Sequence, residues 1–352
     1  MAPIERYLAT LDHEELYVRR GPRSGLFTIV AVHSTVRGPS LGGCRMWTYD
    51  DNRAAIRDAL RLAEGMTYKS AVAGLPLGGG KGVIVLRPDE PLDARRRRDA
   101  LLDFGETVER LGGTYVTAED VGTSTKDMTV IARRTSHVSG LSRRSGGSGD
   151  PSPYTAQGVL HAIEATAERA FGSPALKGRS VAVVGLGHVG LRLAKLLARA
   201  GVELVVADID RAKRAEGDRL GARWMAPADA MTAPVDIVAP CALGGVLDHE
   251  SVGRLQAPAI AGAANNQLAS SDVADLLREQ GVLWAPDFVA NAGGIINISV
   301  EFENGGYDPD RASARTREIG DTLRRIFDAA ERSGATPLAA ATALAHANLR
   351  KA

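Results

Sequence analysis

The chain has 352 residues, 44% hydrophobic and 24% charged, enough for two domains with sizeable cores. Lys and Arg number 43 against 42 Asp and Glu, a net charge of +1 that points away from nucleic acid or an anionic membrane as the main partner. The two cysteines, Cys44 and Cys241, form no disulfide framework and suit a reducing, cytoplasmic setting; the opening "MAPIERYLAT" lacks an apolar leader, and no stretch reaches membrane-spanning length.

In chain order, "LFTIVAVHST" (Leu26–Thr35) reads as a strand. Asp51–Ser70 reads as an amphipathic helix, with Ile56, Ala59, Leu60 and Ala63 at helical spacing and Asp51 or Asn52 as its cap. "GGGKGVIVL" reads as a glycine loop entering a buried strand at "KGVIVL". A helix follows through "RRRRDALLDFGETVERL", whose Arg95–Arg98 run is expected to be a solvated face, and "TYVTAEDVG" is a strand running into a loop. The Gly-, Ser- and Pro-rich Leu141–Pro153 is the linker or hinge candidate. Beyond it come the helix "YTAQGVLHAIEATAERAF", a complete strand–helix–strand unit over "SVAVVGLGHVGLRLAKLLARAGVELVVADID", and short strands at "VDIVAP", "PAIAGAA" and "VLWAPD". This alternation predicts an α/β protein with a parallel sheet in its second half.

Gly185, Gly187 and Gly190 form G-x-G-x-x-G directly after the apolar strand Val181–Val184 and at the start of a helix. The next strand ends in Asp208, 18 residues after Gly190. That context makes the pattern a dinucleotide fingerprint. Gly185 and Gly187 let the backbone turn and approach a pyrophosphate, Gly190 lets helix and strand pack closely, and the helix N-terminus offers free N–H groups to the phosphates. Asp208 would accept the adenosine ribose hydroxyls and repel a 2′-phosphate, so NAD is expected over NADP, a preference that nearby Arg211 weakens slightly. His188, inside the fingerprint, has no assigned role. The seven histidines show no metal-ligand spacing, so no metal site is expected.

Lys81 sits directly after three glycines, and Lys69 stands 12 residues earlier. If the two converge and are buried, mutual repulsion and lost hydration both favour the neutral amine, which suits a general base or acid. The glycines would leave room for a substrate. The plainer alternative is that Lys81 reaches solvent and Lys69 is a charge at a helix C-terminus.

The segments "GPSLGGCRMWTYD", "DALRLAEGMTYKSAVAGLPLGGGKGVI", "YVTAEDVGT", "GDPSPYTAQGV", "VVGLGHVG", "APCALGG", "AGAANNQL" and "APDFVANAGGIINIS" carry a resemblance over nearly the whole chain. It resembles the amino-acid dehydrogenases related to glutamate dehydrogenase, in their leucine, valine and phenylalanine branch. The resemblance implies an N-terminal α/β substrate-binding and oligomerisation domain (1–144), a Rossmann-type NAD-binding domain (145–325), an active site in the cleft between them, and a C-terminal helix (326–352) returning toward the first domain. A homo-oligomer acting on a small molecule is implied as well.

By that resemblance, Lys69 looks like the partner of the substrate α-carboxylate, Lys81 like the catalytic lysine that activates water, and Asp120 like the carboxylate that exchanges protons with the amino group. Gly42 and Gly43 would line the substrate, and Thr155, Asn265 and Cys241 would lie at the cofactor. The implied reaction passes hydride from Cα of an L-amino acid to the nicotinamide, then hydrolyses the imino acid to a 2-oxo acid and ammonia, and runs reversibly. Closing of the domains on the glycine-hinged linker would expel water. Leu41 stands where glutamate-specific relatives carry a lysine. With Ala118, Ile295 and Ile298 it implies an apolar pocket, in which a charged side chain is left unpaired at a cost of several kcal/mol. "AED", where phenylalanine-preferring relatives often show Gly-Pro-Asp, favours leucine, valine or isoleucine. Cys44 replaces a common threonine and Ser70 a common asparagine; Cys44 is expected to pack as a small side chain. The alternatives are an aromatic (phenylalanine or tryptophan) dehydrogenase of the same family and an inactive NAD-binding relative, which would be expected to have lost Lys69, Lys81 or Asp120.

Overall fold

In a computed structural model, residues 11–351 are described; the opening decapeptide, read above as lacking a leader, lies outside them. Two units emerge. Of the described residues, the first comprises 11–150, 301–307 and 348–351, the second 151–300 and 308–347. The chain thus divides within the proposed linker, six residues beyond the expected 144/145, and of the expected terminal helical segment only the last few residues join the first unit.

The first unit is a five-stranded mixed sheet in the order β1-β2-β4-β3-β5: β1 (Glu15–Arg20), β2 (Phe27–Ser34), β3 (Ser40–Thr48), β4 (Gly78–Leu86) and β5 (Tyr115–Glu119). β1–β2 and β2–β4 are antiparallel; β3 runs parallel to both β4 and β5. Alternation along the strands feeds two cores. Ile29, Ala31, Val83 and Val85 pack with Ala55, Ala59, Leu60 and Ala63 of helix α1 (Asn52–Val72). Val30, Val32, Cys44, Met46 and Ile84 pack on the other face with Ala100, Leu101, Phe104 and Val108 of α2 (Ala94–Glu109). Asp51 is the α1 cap, its carboxylate accepting from the Ala54 N–H at 2.7 Å. A short helix, α3 (Thr125–Ile131), follows β5.

The glycines on either side of Lys81 belong to the strand itself. A Cβ on Gly79 would lie 2.1 Å from the Thr67 nitrogen of α1, and one on Gly82 would lie 2.4 Å from the Phe104 ring. Their bareness lets both helices press onto the sheet, so packing against helices is a reason for them that a reading as substrate room misses. The Arg95–Arg98 expectation holds only for its ends: Arg96 donates to the Ser24 carbonyl at 3.1 Å, and Arg97 pairs with Asp127 at 2.8 Å.

The second unit carries an all-parallel sheet in the order β11-β10-β9-β6-β7-β8, from β6 (Ser180–Val184), β7 (Glu203–Ala207), β8 (Arg223–Trp224), β9 (Ile237–Pro240), β10 (Ala259–Ile260) and β11 (Leu283–Trp284). Counted from β6, this is the doubly wound order 3-2-1-4-5-6, with the reversal between β6 and β9. Among its helices are α4 (Ser152–Phe171), α5 (His188–Arg199), α6 (Gly293–Ser299), α7 (Pro309–Ser333) and α8 (Pro337–Leu349). No helix among the described residues is long and apolar enough to cross a membrane.

The Gly/Ser/Pro segment before α4 is an ordered loop. Arg143–Ser145 forms a helical turn, and the Glu301 carboxylate accepts from the N–H groups of Gly140 (2.9 Å) and Ser148 (2.6 Å). Arg143 also lies over the Tyr307 ring, 5.4 Å from its centroid.

Candidate active site

Lys81 projects from β4 on the face shared with Val83, Val85 and α1, and is only 4% exposed. An ammonium group at that depth needs a partner. Its Nζ donates to Asp120 Oδ2 at 2.7 Å. Asp120 follows β5 directly, and Gly43 on the paired strand β3 makes space for it: a Cβ on Gly43 would lie 2.7 Å from the Asp120 Cβ. The Asp120 N–H donates to Thr123 Oγ1 at 3.0 Å, and that hydroxyl is also 2.8 Å from the Cys44 carbonyl.

Arg45, absent from the sequence expectations, joins the same carboxylate. Its Nε donates to Asp120 Oδ2 at 3.1 Å and its Nη1 to Asp58 Oδ2 at 2.9 Å. Asp58, on α1, also accepts from Tyr49 (2.7 Å) and Arg61 (2.9 Å). Burial raises the Asp120 carboxyl, but Lys81 and Arg45 outweigh it and hold the group below the usual carboxylate range. The available signal was a charged residue within "GGCRMWT", on a strand whose alternate positions Cys44 and Met46 are core.

Arg45→Met should therefore raise the Asp120 pKa, because one of the two cations that lower it is gone. The acid limb of kcat/KM should move to higher pH, with a neutral-pH loss of about tenfold for one charge-assisted hydrogen bond. Asp58 keeps Tyr49 and Arg61, so the fold should survive. Asp120's depressed pKa contributes stability above its unfolded value, lost as pH falls through the folded value; the variant should begin that loss at higher pH. A pH–rate profile with an unmoved acid limb would rule this role out.

Lys69 lies half-buried in the last turn of α1. Leu41 (1% exposed) and Ala118 (3%) are buried on β3 and β5. Gly42 pairs with Thr117, and its carbonyl accepts the Tyr115 hydroxyl at 2.5 Å. The β3–β4 register pairs Ser40 and Leu41 with Gly78 and Gly79, then resumes at Cys44 with Gly82, so the ladder is interrupted beside Lys81. Cys44 is wholly buried, which pushes its thiol well above the usual range, consistent with packing rather than reactivity.

In the second unit, Gly185 has φ +107°, a backbone only glycine adopts readily, and a Cβ there would meet Ala242 at 2.7 Å. A Cβ on Gly190 would lie 1.8 Å from the Gly185 carbonyl oxygen, whereas one on Gly187 would meet nothing. No side chain caps the start of α5, so its first N–H groups remain for a ligand. This cradle fits a pyrophosphate. Asp208 ends the next strand; its Oδ2 accepts from the Leu186 N–H (2.7 Å) and Lys213 Nζ (3.0 Å), its Oδ1 from the Asp210 N–H (2.9 Å). Burial raises its carboxyl, but these donors outweigh that and hold it ionised. Lys213 is thus a cation paired directly with Asp208, a second positive group beside the Arg211 that the sequence places near this carboxylate.

Cys241 directly follows β9, its Cβ 3.1 Å from where a Gly190 Cβ would stand, and burial pushes its thiol up to about 12. Thr155 lies in the first turn of α4, its hydroxyl donating to the Pro151 carbonyl at 3.2 Å. Asn265 is exposed and accepts from Asn291 at 2.9 Å. Ile295 and Ile298, three apart on α6, are each 6% exposed.

Family models match this chain in three stretches: "Glu/Leu/Phe/Val dehydrogenase, dimerisation domain" at residues 17–137, "Glutamate/Leucine/Phenylalanine/Valine dehydrogenase" at 207–352, and "D-isomer specific 2-hydroxyacid dehydrogenase, NAD binding domain" at 155–245. A leucine dehydrogenase of Bacillus subtilis is 42% identical over 98% of this chain and 94% of its own length. The chain belongs to the Glu/Leu/Phe/Val dehydrogenase family. A valine dehydrogenase of Streptomyces virginiae is also 42% identical, over 97% of this chain and 94% of its own. Among solved structures, L-tryptophan dehydrogenase from Nostoc punctiforme superposes with a TM-score of 0.83 at 37% identity, covering 99% of this chain and 98% of that one. This member of the family is an amino-acid dehydrogenase with a nicotinamide cofactor, and the fingerprint cradle is where its own residues would hold the pyrophosphate.

Proposed function

We propose that the protein catalyses NAD-dependent oxidative deamination of an aliphatic L-amino acid (leucine, valine or isoleucine) to the 2-oxo acid and ammonia, and the reverse amination, as a cytoplasmic homo-oligomer. The observation that carries the chemistry is the pairing of buried Lys81 with part-buried Asp120 at 2.7 Å. When bound, the nicotinamide accepts hydride from the substrate Cα. Lys69 pairs with the α-carboxylate. Asp120, kept ionised by Lys81 and Arg45, takes a proton from the amino group, and Lys81 Nζ holds and returns a proton while water adds to the imino carbon. Leu41 and Ala118 in the first unit, and Ile295 and Ile298 in the second, are apolar and buried, which supports an apolar substrate. The likeness to a tryptophan dehydrogenase keeps an aromatic substrate as the second reading.

NADH formation at alkaline pH, over a panel of L-leucine, L-valine, L-isoleucine, L-phenylalanine, L-tryptophan and L-glutamate, tests this. The highest kcat/KM should fall on an aliphatic member; an aromatic optimum would keep the mechanism and overturn the specificity. The ionised Asp208 should disfavour a 2′-phosphate, giving NAD about a 100-fold advantage over NADP that narrows in Asp208→Ser. Equal use of both cofactors by the wild type would refute the cofactor reading.

A further inference from the structure

The antiparallel pairing of β1 with β2 sets Glu15 opposite Val32, and so brings the residues just before β1 alongside those at the end of β2. Three side chains meet there: Asp12, His13 and His33. Their nearest ligand atoms all lie within 4.8 Å of one another. Asp12 Oδ1 is 3.4 Å from His13 Nδ1, and Asp12 Oδ2 is 3.3 Å from His33 Nε2. The imidazoles stand edge to face with centroids 4.7 Å apart. Both are deeply buried, with 6% and 8% of their side chains exposed, while Asp12 is 71% exposed.

The far nitrogen of each ring is already engaged. His13 Nε2 lies 2.9 Å from the Leu60 carbonyl, which can only accept, so that nitrogen donates and, in the neutral imidazole, Nδ1 carries the lone pair. His33 Nδ1 lies 2.9 Å from Thr67 Oγ1, whose own hydroxyl points to the Ala63 carbonyl at 3.4 Å. Thr67 therefore accepts from Nδ1, and in the neutral imidazole the lone pair falls on His33 Nε2. Those two nitrogens, His13 Nδ1 and His33 Nε2, are buried, and their nearest polar neighbours are the Asp12 oxygens at 3.4 and 3.3 Å, longer than a well-formed hydrogen bond. Leaving such atoms unsatisfied is costly, and orienting the outer N–H of an imidazole is what proteins do around a metal.

From this geometry we infer that Asp12, His13 and His33 form a site for a divalent ion of the zinc class. Two imidazoles and one carboxylate are a borderline donor set suited to Zn²⁺, with a fourth position open to water. Ligands about 2.0–2.1 Å from a tetrahedral ion stand about 3.3 Å apart, close to the two nitrogen–oxygen separations seen here. The ion would clamp the segment preceding β1 onto β2 and onto α1, the helix that ends at Lys69. Its role is structural and independent of the dehydrogenase reaction. Linear spacing hides the set, because 20 residues separate His13 from His33 and only strand pairing unites them.

Titrating the chelator-stripped full chain with Zn²⁺ in a calorimeter, with Co²⁺ absorption as a second probe of coordination, tests the site. One ion per chain should bind with Kd about 1 μM or tighter. Saturating Zn²⁺ should raise Tm by about 5 °C. His13→Gln and Asp12→Asn should each weaken binding about 100-fold and abolish the Tm gain, with amino-acid turnover in chelator unchanged. Millimolar-only binding by the wild type, or unaltered binding in both variants, would overturn the site and leave an ordinary His–Asp ion pair.

Discussion

Lys81→Met is expected to lower kcat/KM for the amino acid about 10³-fold, about 4 kcal/mol of transition-state stabilisation, while cofactor binding stays intact. Methionine fills the lysine's volume at a site only 4% exposed, so packing is nearly preserved and the missing element is the ammonium group. Asp120 retains Arg45 at 3.1 Å and Thr123 through its N–H, and so remains ionised and in place. The loss should therefore be in kcat as well as kcat/KM, because a proton carrier acting in the chemical step is gone. Steady-state kinetics with a fluorescence titration of the cofactor separates the cases. If the variant kept within tenfold of wild-type turnover, the assignment of Lys81 would fail. If it lost cofactor binding too, the loss would be one of folding.

Gly42→Ala is the second large effect, and it acts on the fold. The new methyl would stand 1.7 Å from the Gly80 carbonyl oxygen and 3.1 Å from the Lys81 nitrogen, both backbone atoms of the neighbouring strand β4. No side chain can swing away; two strands must part, on a sheet buried by helices on both faces. Overpacking of this kind should cost about 3 kcal/mol or more, a fall in Tm of about 6–12 °C. Gly65→Ala supplies the contrast. Gly65 lies within α1 where an added Cβ meets nothing, and the change should stabilise by about 0.5–1 kcal/mol through helix propensity alone. Thermal unfolding of the two variants side by side should give shifts of opposite sign; a Gly42→Ala protein as stable as wild type would show that the sheet yields where the geometry says it cannot.

Why some of this was legible in the sequence and some was not has physical causes. The Rossmann unit announces itself locally: Gly185, Gly187, Gly190 and Asp208 fall within one strand–helix–strand stretch, and each has a reason that spacing alone exposes. The first unit is harder. Gly78–Gly80 read as a loop because glycine weakens an isolated strand, yet here the bare positions admit Thr67 and Tyr115 and the strand continues through them. β3 hides for the same reason behind Gly42 and Gly43. Lys81 and Asp120 were identified from motifs, but their partner Arg45 was not, since its role arises from β3 lying between β4 and β5. The Asp12–His13–His33 cluster has the same origin in strand pairing.

The Glu301 brace has a consequence for how the molecule is made. The loop from Gly140 to Ser148 finds its carboxylate partner more than 150 residues later in the chain, and Arg37 and Ala71 find theirs in Asn348, whose carbonyl and side-chain amide lie 2.7 and 2.8 Å from them. A growing chain therefore emerges from the ribosome with its first sheet complete but these fastenings missing until the whole nucleotide-binding sheet has followed. Such long-range closures come late in folding because the loop entropy they must overcome is large. C-terminal truncation before Asn348, or pausing ahead of Glu301, would leave an early-formed unit unlatched during the interval when nascent chains are most exposed to aggregation and to proteases.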